Sequence, residues 1–300
     1  MVRLHVRSDR CDHGFVANST SDVSALTPND SGHVPSWMCL RDVYCHNVGV
    51  TLASEPERIQ LCGAIVIEKD GERCESRLPG RQGRMLFAYL VLNRHRSCGR
   101  SELAEALWGD NAPDASEAGL NALVSKLRKG LWAGAIDGRT SLRLPLHHDA
   151  WVDVEVAEQA VHKAESRIAL REYPPAWGPA LAGLFISERA FMPDDEAPWI
   201  DHQRATLADI RVRALEAYAA SALGTGGTEL LAAVRAGRQL VRLVPLRESG
   251  YQVLMRALAD QGNVAEALAV HAELSNVLRE ELGVSPSAAT QAVYNSLLHS

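Results

Sequence analysis

The feature that most constrains this chain is a line of apolar residues in the stretch GLNALVSKLRKGL. At 3.6 residues per turn, Leu120, Leu123, Val124, Leu127 and Leu131 fall on one narrow stripe, the spacing of a helix that buries a single face. The opposite arc collects Ala118, Asn121, Ala122, Ser125, Lys126, Arg128 and Lys129, with small residues in the middle and cations toward the C-terminal end. Such a face lets an anionic surface approach closely. Taken alone, the cations are better explained as a solvated last turn, because the helix macrodipole favours positive charge there.

What surrounds the helix decides between these readings. Ile59, Leu61, Ile65 and Ile67 alternate toward a turn at Lys69 to Gly71, and a second short strand follows before Leu78-Pro79, which predicts a small antiparallel sheet. A helix is expected over Gln82 to Asn93, with Leu86, Phe87, Leu90 and Val91 as its buried stripe. Ser101 is placed to cap a short helix carrying Leu103, Leu107 and Trp108, and Asp114 with Glu117 is spaced as a capping box for the helix of the opening stretch. Gly134 to Leu146 reads as a hairpin around Asp137-Gly138. Sheet, three helices and hairpin, in that order, make a winged helix-turn-helix, whose third helix enters the DNA major groove while the hairpin lies along the backbone.

After Val152 the pattern is helical almost throughout, with helices expected over 153–171, 198–223, 228–243, 247–261, 264–281 and 286–298. Proline or glycine separates them at Pro174-Pro175, Gly224 to Gly227, Pro245, Gly262 and Gly283. The segment RALADQGNVAEALAVHAEL resembles the helix-turn-helix unit of a tetratricopeptide array, and AYAASALGTGGTELLAAV repeats it imperfectly, with Gly224 lying 38 positions before Gly262. The fold class expected is therefore mainly α: a winged helix-turn-helix with a small N-terminal antiparallel sheet, followed by an all-helical tetratricopeptide-like domain. The domain limits are 1–56 as a disordered extension rich in Ser, Asn, Asp, Thr and Pro, 57–150 as the DNA-binding unit and 151–300 as the helical unit.

Charge is distributed to match. The net charge of −6 divides unevenly: residues 57–150 hold 14 Lys and Arg against 12 Asp and Glu, whereas residues 151–300 hold 13 against 19. Any polyanion contact is thus expected from the first unit. With 46% hydrophobic and 23% charged residues, no run as long as a membrane span and no signal-peptide pattern at the N-terminus, the chain is expected to be cytoplasmic and associated with the nucleoid, with no membrane partner. The cysteines Cys11, Cys39, Cys45, Cys62, Cys74 and Cys98 have no metal-site spacing and read as reduced thiols. His147-His148 with Asp149, and the run Asp194-Asp195-Glu196, lack partners for catalysis or metal binding; they read as the end of the hairpin and as a solvated loop. No enzyme activity, metal or cofactor is expected. Trp151 is expected to plug the junction between the units, and Trp177, Trp199 and Tyr251 to fill space between helices.

The residues also carry a resemblance. LPGRQGRMLFAYLVLN, SELAEALWGDNAP, GLNALVSKLRKGL and WVDVEVAEQAV resemble the DNA-binding half of the actinobacterial antibiotic regulatory protein family of transcription activators. PALAGLF, APWIDHQRATLADIRVRALEAYA, LVPLRESGYQVLMRALADQGNVAEALAVHAEL and LREELGVSPSAATQAVYNSLL are similar to the bacterial transcriptional activation domain that accompanies it. The resemblance covers residues 57–300. It implies binding of direct repeats in promoter DNA by side-by-side protomers, contact with RNA polymerase holoenzyme, and control of secondary-metabolite or antibiotic biosynthesis genes. The phosphate-binding G-x-x-x-x-G-K-S/T motif of longer relatives is not found, so a two-domain member is expected.

The candidate DNA-binding residues are Asn121, Ala122, Ser125, Lys126, Arg128 and Lys129 on the third helix, Arg139 beside the wing turn, and Arg81 and Arg84 at the start of the first helix. Asn121 can bond adenine bidentately, Ser125 a base or phosphate, and Arg139 a phosphate or the minor groove. Glu117 and Gly119 stand where the family usually shows basic or amide residues. The alternative function is a protein-interaction scaffold: a tetratricopeptide-like half joined to a winged domain without DNA affinity.

Overall fold

Strand β1 (Arg58–Gln60) lies at the centre of the first unit of a computed structural model that describes residues 56–109 and 115–299. It pairs antiparallel with β2 (Val66–Lys69), setting Ile59 opposite Ile67, and β2 pairs antiparallel with β3 (Glu72–Arg73). The β2–β3 turn has positive φ at Asp70 and Gly71, the tight hairpin geometry anticipated at Lys69 to Gly71. One edge differs from expectation. β6 (Trp151–Val152) joins β1 in parallel, so the sheet of order β3-β2-β1-β6 is mixed, and its last strand leads without a break into the helical half.

Three helices follow. Helix α1 (Gly80–Leu92) buries Leu86, Phe87, Leu90 and Val91, as the periodicity required, but starts before Gln82. Helix α2 (Arg100–Trp108) begins one residue ahead of Ser101, which therefore does not cap it. Gly99 is the cap, and its N–H donates to the Glu102 carboxylate, which reaches back 3.2 Å from the third helical position. Helix α3 (Ser116–Gly130) buries Leu120, Leu123, Val124 and Leu127, with Leu131 buried just beyond its end. Its cap position is Ala115, without a side-chain bond; Asp114 lies outside the described residues, as do residues 1–55 and their three cysteines.

The wing forms differently from a regular hairpin. The Asp137-Gly138 turn is closed by one bridge between Asp137 and Arg143, and β5 (Ser141–Leu142) pairs instead with β4 (Cys98–Gly99), the strand just before α2. Gly138 has φ 92°, and a Cβ there would lie 1.9 Å from the Ser141 carbonyl oxygen, so only glycine fits the turn.

The helical half contains α4 (Asp153–Ala169), α5 (Tyr173–Ser187), α6 (Pro198–Thr225), α7 (Leu230–Leu243), α8 (Glu248–Asp260), α9 (Val264–Leu282) and α10 (Ala288–Leu298). Helix α5 was not expected, because Pro174-Pro175 read as a break. Both prolines lie in its first turn, where a missing N–H leaves no helical bond unmade. Gly183 lets α5 close on α4, since a Cβ there would fall 2.6 Å from Val161 Cγ2. The repeat signature is also resolved: Gly262 takes φ 83° at a turn, but Gly224 is helical and accommodates the ring of Tyr173, leaving the left-handed turn to Gly226 and Gly227.

The two halves share one hydrophobic core, which runs from Ile59 through Leu127 and Val152 to Ile200 and Leu215. Trp199, rather than Trp151, is the ring that joins them. Its Nε1–H donates to the Ala106 carbonyl at 2.9 Å, and its edge meets Tyr89 at 5.3 Å. Trp151 is half-buried beneath the Arg58 guanidinium, 5.0 Å from its ring centroid. Trp177 is 42% exposed yet meets the Tyr218 ring of α6 at 6.1 Å between centroids, and Tyr251 is buried as expected. Among the described residues no helix is long and apolar enough to cross a membrane.

Two side chains secure this arrangement. Asp153, fully buried at the start of α4, accepts N–H bonds from Leu61, Cys62 and Val154 at 2.8–3.0 Å, using both carboxylate oxygens. Asp153→Asn turns an amide NH2 toward one of these donors and is expected to cost about 2 kcal/mol, read as a lower urea midpoint with an unchanged slope. Glu102 accepts from Arg96, Tyr89 and Gly99, and chiefly the Arg96 guanidinium holds its carboxyl at about 2, below the usual 4.5. Its stabilisation is present above pH 4.5 and lost as pH falls through about 2. The Tm difference between wild type and Glu102→Gln is therefore expected to shrink steadily over that interval.

Candidate nucleic-acid interface

The apolar stripe of α3 faces α1 and α2, so the opposite face is presented outward by the same periodicity that builds the core. On it Asn121, Ala122, Ser125, Lys126, Arg128 and Lys129 are all exposed. A cleft of about 460 Å³ runs between this face and the wing, and Asn121, Ser125, Arg128, Lys129 and Arg139 line it together with Arg100. The side chains of Lys126, Lys129 and Arg139 have no ion pair or hydrogen bond among the described residues.

Arg128 is differently employed. Its Nε donates to the Ile136 carbonyl at 3.2 Å and its Nη2 to the Gly138 carbonyl, so the guanidinium holds both sides of the wing turn against α3. Arg100, outside the residues expected to meet DNA, grips the wing from α2: Nη1 donates to the Arg139 carbonyl at 2.9 Å and Nη2 to Asn121 Oδ1. The available signal was position, since Arg100 ends the basic run RHRSCGR and opens a helix. Glu117 is exposed and lies 3.9 Å from Arg100 Nε, and a Cβ at Gly119 would lie 3.5 Å from the Trp108 ring.

Arg81 and Arg84 do not join this face. Both contact Asp195, at 3.1 and 3.5 Å, and Arg81 also donates to the Glu196 carbonyl. Asp195 is buried, not part of a solvated loop, and Arg204 holds its segment by donating to the carbonyls of Phe191, Met192 and Asp195. The anionic partner suggested by cations at the start of α1 is thus internal.

Other reactive groups are differently placed. Cys62, Cys74 and Cys98 are buried free thiols, and burial pushes those of Cys62 and Cys98 further from ionisation. His147, His148 and Asp149 occupy an exposed turn before β6 rather than the hairpin; their ligand atoms lie within 4.8 Å of one another, a spacing that could admit a metal ion.

Comparison with known proteins accords with this geometry. The bacterial transcriptional activator domain family matches residues 152–298. The regulatory protein AfsR of Streptomyces coelicolor is 30% identical over 254 residues, which are 80% of this chain and 24% of AfsR. The transcriptional regulatory protein EmbR of Mycobacterium tuberculosis is 28% identical over 260 residues, 79% of this chain and 62% of EmbR. The chain thus spans about a quarter of AfsR and three fifths of EmbR. A structure of M. tuberculosis EmbR in complex with a low affinity phosphopeptide superposes with a TM-score of 0.71 at 22% identity, covering 82% of this chain and 66% of that one, and so shares its fold. A winged unit carrying an exposed third helix is thus continuous with a bacterial transcriptional activator domain, and over most of its length the chain is similar to bacterial regulatory proteins.

Proposed function

We propose that the chain is a sequence-specific transcriptional activator that reads direct repeats in promoter DNA with α3 and the wing. Side-by-side protomers would associate on the repeats, the helical half would contact RNA polymerase holoenzyme, and the genes controlled would belong to a secondary-metabolite cluster. One observation carries the reading: an exposed helix face of small residues, cations and an amide stands beside a wing with which it shares a cationic cleft. Small side chains at Ala118 and Ala122 let the helix backbone approach base edges, while Lys126, Lys129 and Arg139 have charges available for phosphates.

The test is selection of bound fragments from random genomic DNA by the full-length protein at fixed, near-physiological salt. Wild type is expected to enrich a spaced direct repeat, and a Lys126→Ala, Arg128→Ala, Lys129→Ala triple variant to lose it. Enrichment of no sequence by folded wild type would favour the scaffold function instead.

Single variants separate the roles. Lys129→Ala is expected to weaken binding to every sequence and to lower the log-log salt slope by about 0.9, the loss of one phosphate contact. Arg128→Lys keeps the charge but cannot hold two carbonyls in the same fork. It is expected to impair DNA binding nearly as much as Arg128→Ala, which a salt titration of both variants checks; full retention by the lysine variant would show that only charge matters at this position.

A further inference from the structure

The bond between Arg100 and Asn121 bears on which base the third helix reads. A guanidinium carries N–H donors and no acceptor, so the group of Asn121 that faces Arg100 has to be the carbonyl oxygen. The amide NH2 is then the end left for a ligand in the cleft. Arg100 is itself held, through the Arg139 carbonyl at 2.9 Å and beside Glu117 at 3.9 Å, and its side chain is only 22% exposed. It is a fixed partner for Asn121.

Bidentate recognition of adenine by asparagine needs both ends of the amide: the oxygen accepts from N6 and the NH2 donates to N7. In this protein a charge-assisted bond already engages the oxygen. The positive guanidinium behind it also opposes the donor hydrogens of adenine N6 and favours a base edge made of acceptors. Guanine presents O6 and N7 side by side, two acceptors for the two hydrogens of one NH2.

We infer that Arg100 positions the Asn121 amide so that Asn121 selects guanine, not adenine. The inference rests on the DNA-binding function proposed above and corrects the adenine contact expected from residue type alone. Asn121 is the specificity-determining residue; Arg100 is a positioning residue that acts through it and through the wing.

Selection from a randomised DNA library at fixed salt, with the full chain, tests this. Wild type is expected to enrich guanine at one position of each half-site, and Asn121→Ala to lose the preference there and nowhere else. Asn121→Asp, which offers acceptors only at an exposed position, is expected to lose guanine at that position in favour of cytosine, whose N4 donates. Arg100→Lys removes the fork and is expected to move the same position toward adenine by about tenfold, the scale of one base contact. Folding of each variant is checked by thermal melting, and the two Asn121 variants carry the test if Arg100→Lys does not fold. Adenine at the Asn121-dependent position in wild type, or a pattern indifferent to Asn121, would overturn the inference while leaving DNA binding intact. No enriched sequence from folded wild type would remove the DNA-binding proposal and this inference with it.

Discussion

The buried carboxylate of Asp153 is the contact on which the rest of the arrangement depends. It stands at the first turn of α4 and ties the end of β1 to the helical half through the N–H groups of Leu61 and Cys62. Burial raises its pKa, although three backbone donors and the nearby Arg189 oppose that shift. A charge withdrawn from water in this way is tolerated only while its donors stay in place, so the geometry of the sheet and the start of α4 are set together. With α4 fixed, α5 and α6 pack against it, Trp199 reaches Ala106 of α2, and the segment at 191–195 adds a bridge from Phe191 to Cys62. The winged unit and the helical unit are consequently joined as one core and not strung on a linker.

That continuity explains what could and could not be read from residues in order. The stripe of α3 was legible because each of its five apolar residues is buried by the same helical period. The β2–β3 turn was legible because positive φ at two successive positions demands residues such as Asp and Gly. The β4–β5 pairing was not, since strands of two residues carry no periodicity. Helix α5 was hidden because Pro174 and Pro175 read as a break but are accepted in a first turn, and because the helix also carries Pro179 in its interior, where proline is ordinarily a breaker.

The interface divides in the same way. Seven of the nine candidates lie on α3 or the wing, because helical spacing places i, i+4 and i+7 together without help from the rest of the chain. Arg81 and Arg84 belong elsewhere because their partner, Asp195, is more than a hundred residues away, and no local pattern announces a contact of that range. Arg100 escaped notice for the converse reason: its importance comes from touching Asn121 and the wing, and both contacts exist only once β4 and β5 have paired.

A division of labour among the cationic side chains follows. Arg100, Arg128 and Arg204 each spend rigid, forked donors on backbone carbonyls, holding the wing or the junction. Among the candidate residues of α3 and the wing, the side chains that keep their charge available are Lys126, Lys129 and Arg139, in a chain of net charge −6. Under the proposed function only a few phosphates would then be neutralised by one protomer, and the non-specific, salt-sensitive part of DNA affinity would be correspondingly small. Under the proposed function, a protein so built would depend more heavily on close fit of the small-residue face of α3 to base edges, and on adding the affinities of adjacent protomers, than on charge. The direct repeats of the proposed operator meet that physical requirement, because two weakly charged surfaces acting side by side bind with an avidity that neither has alone.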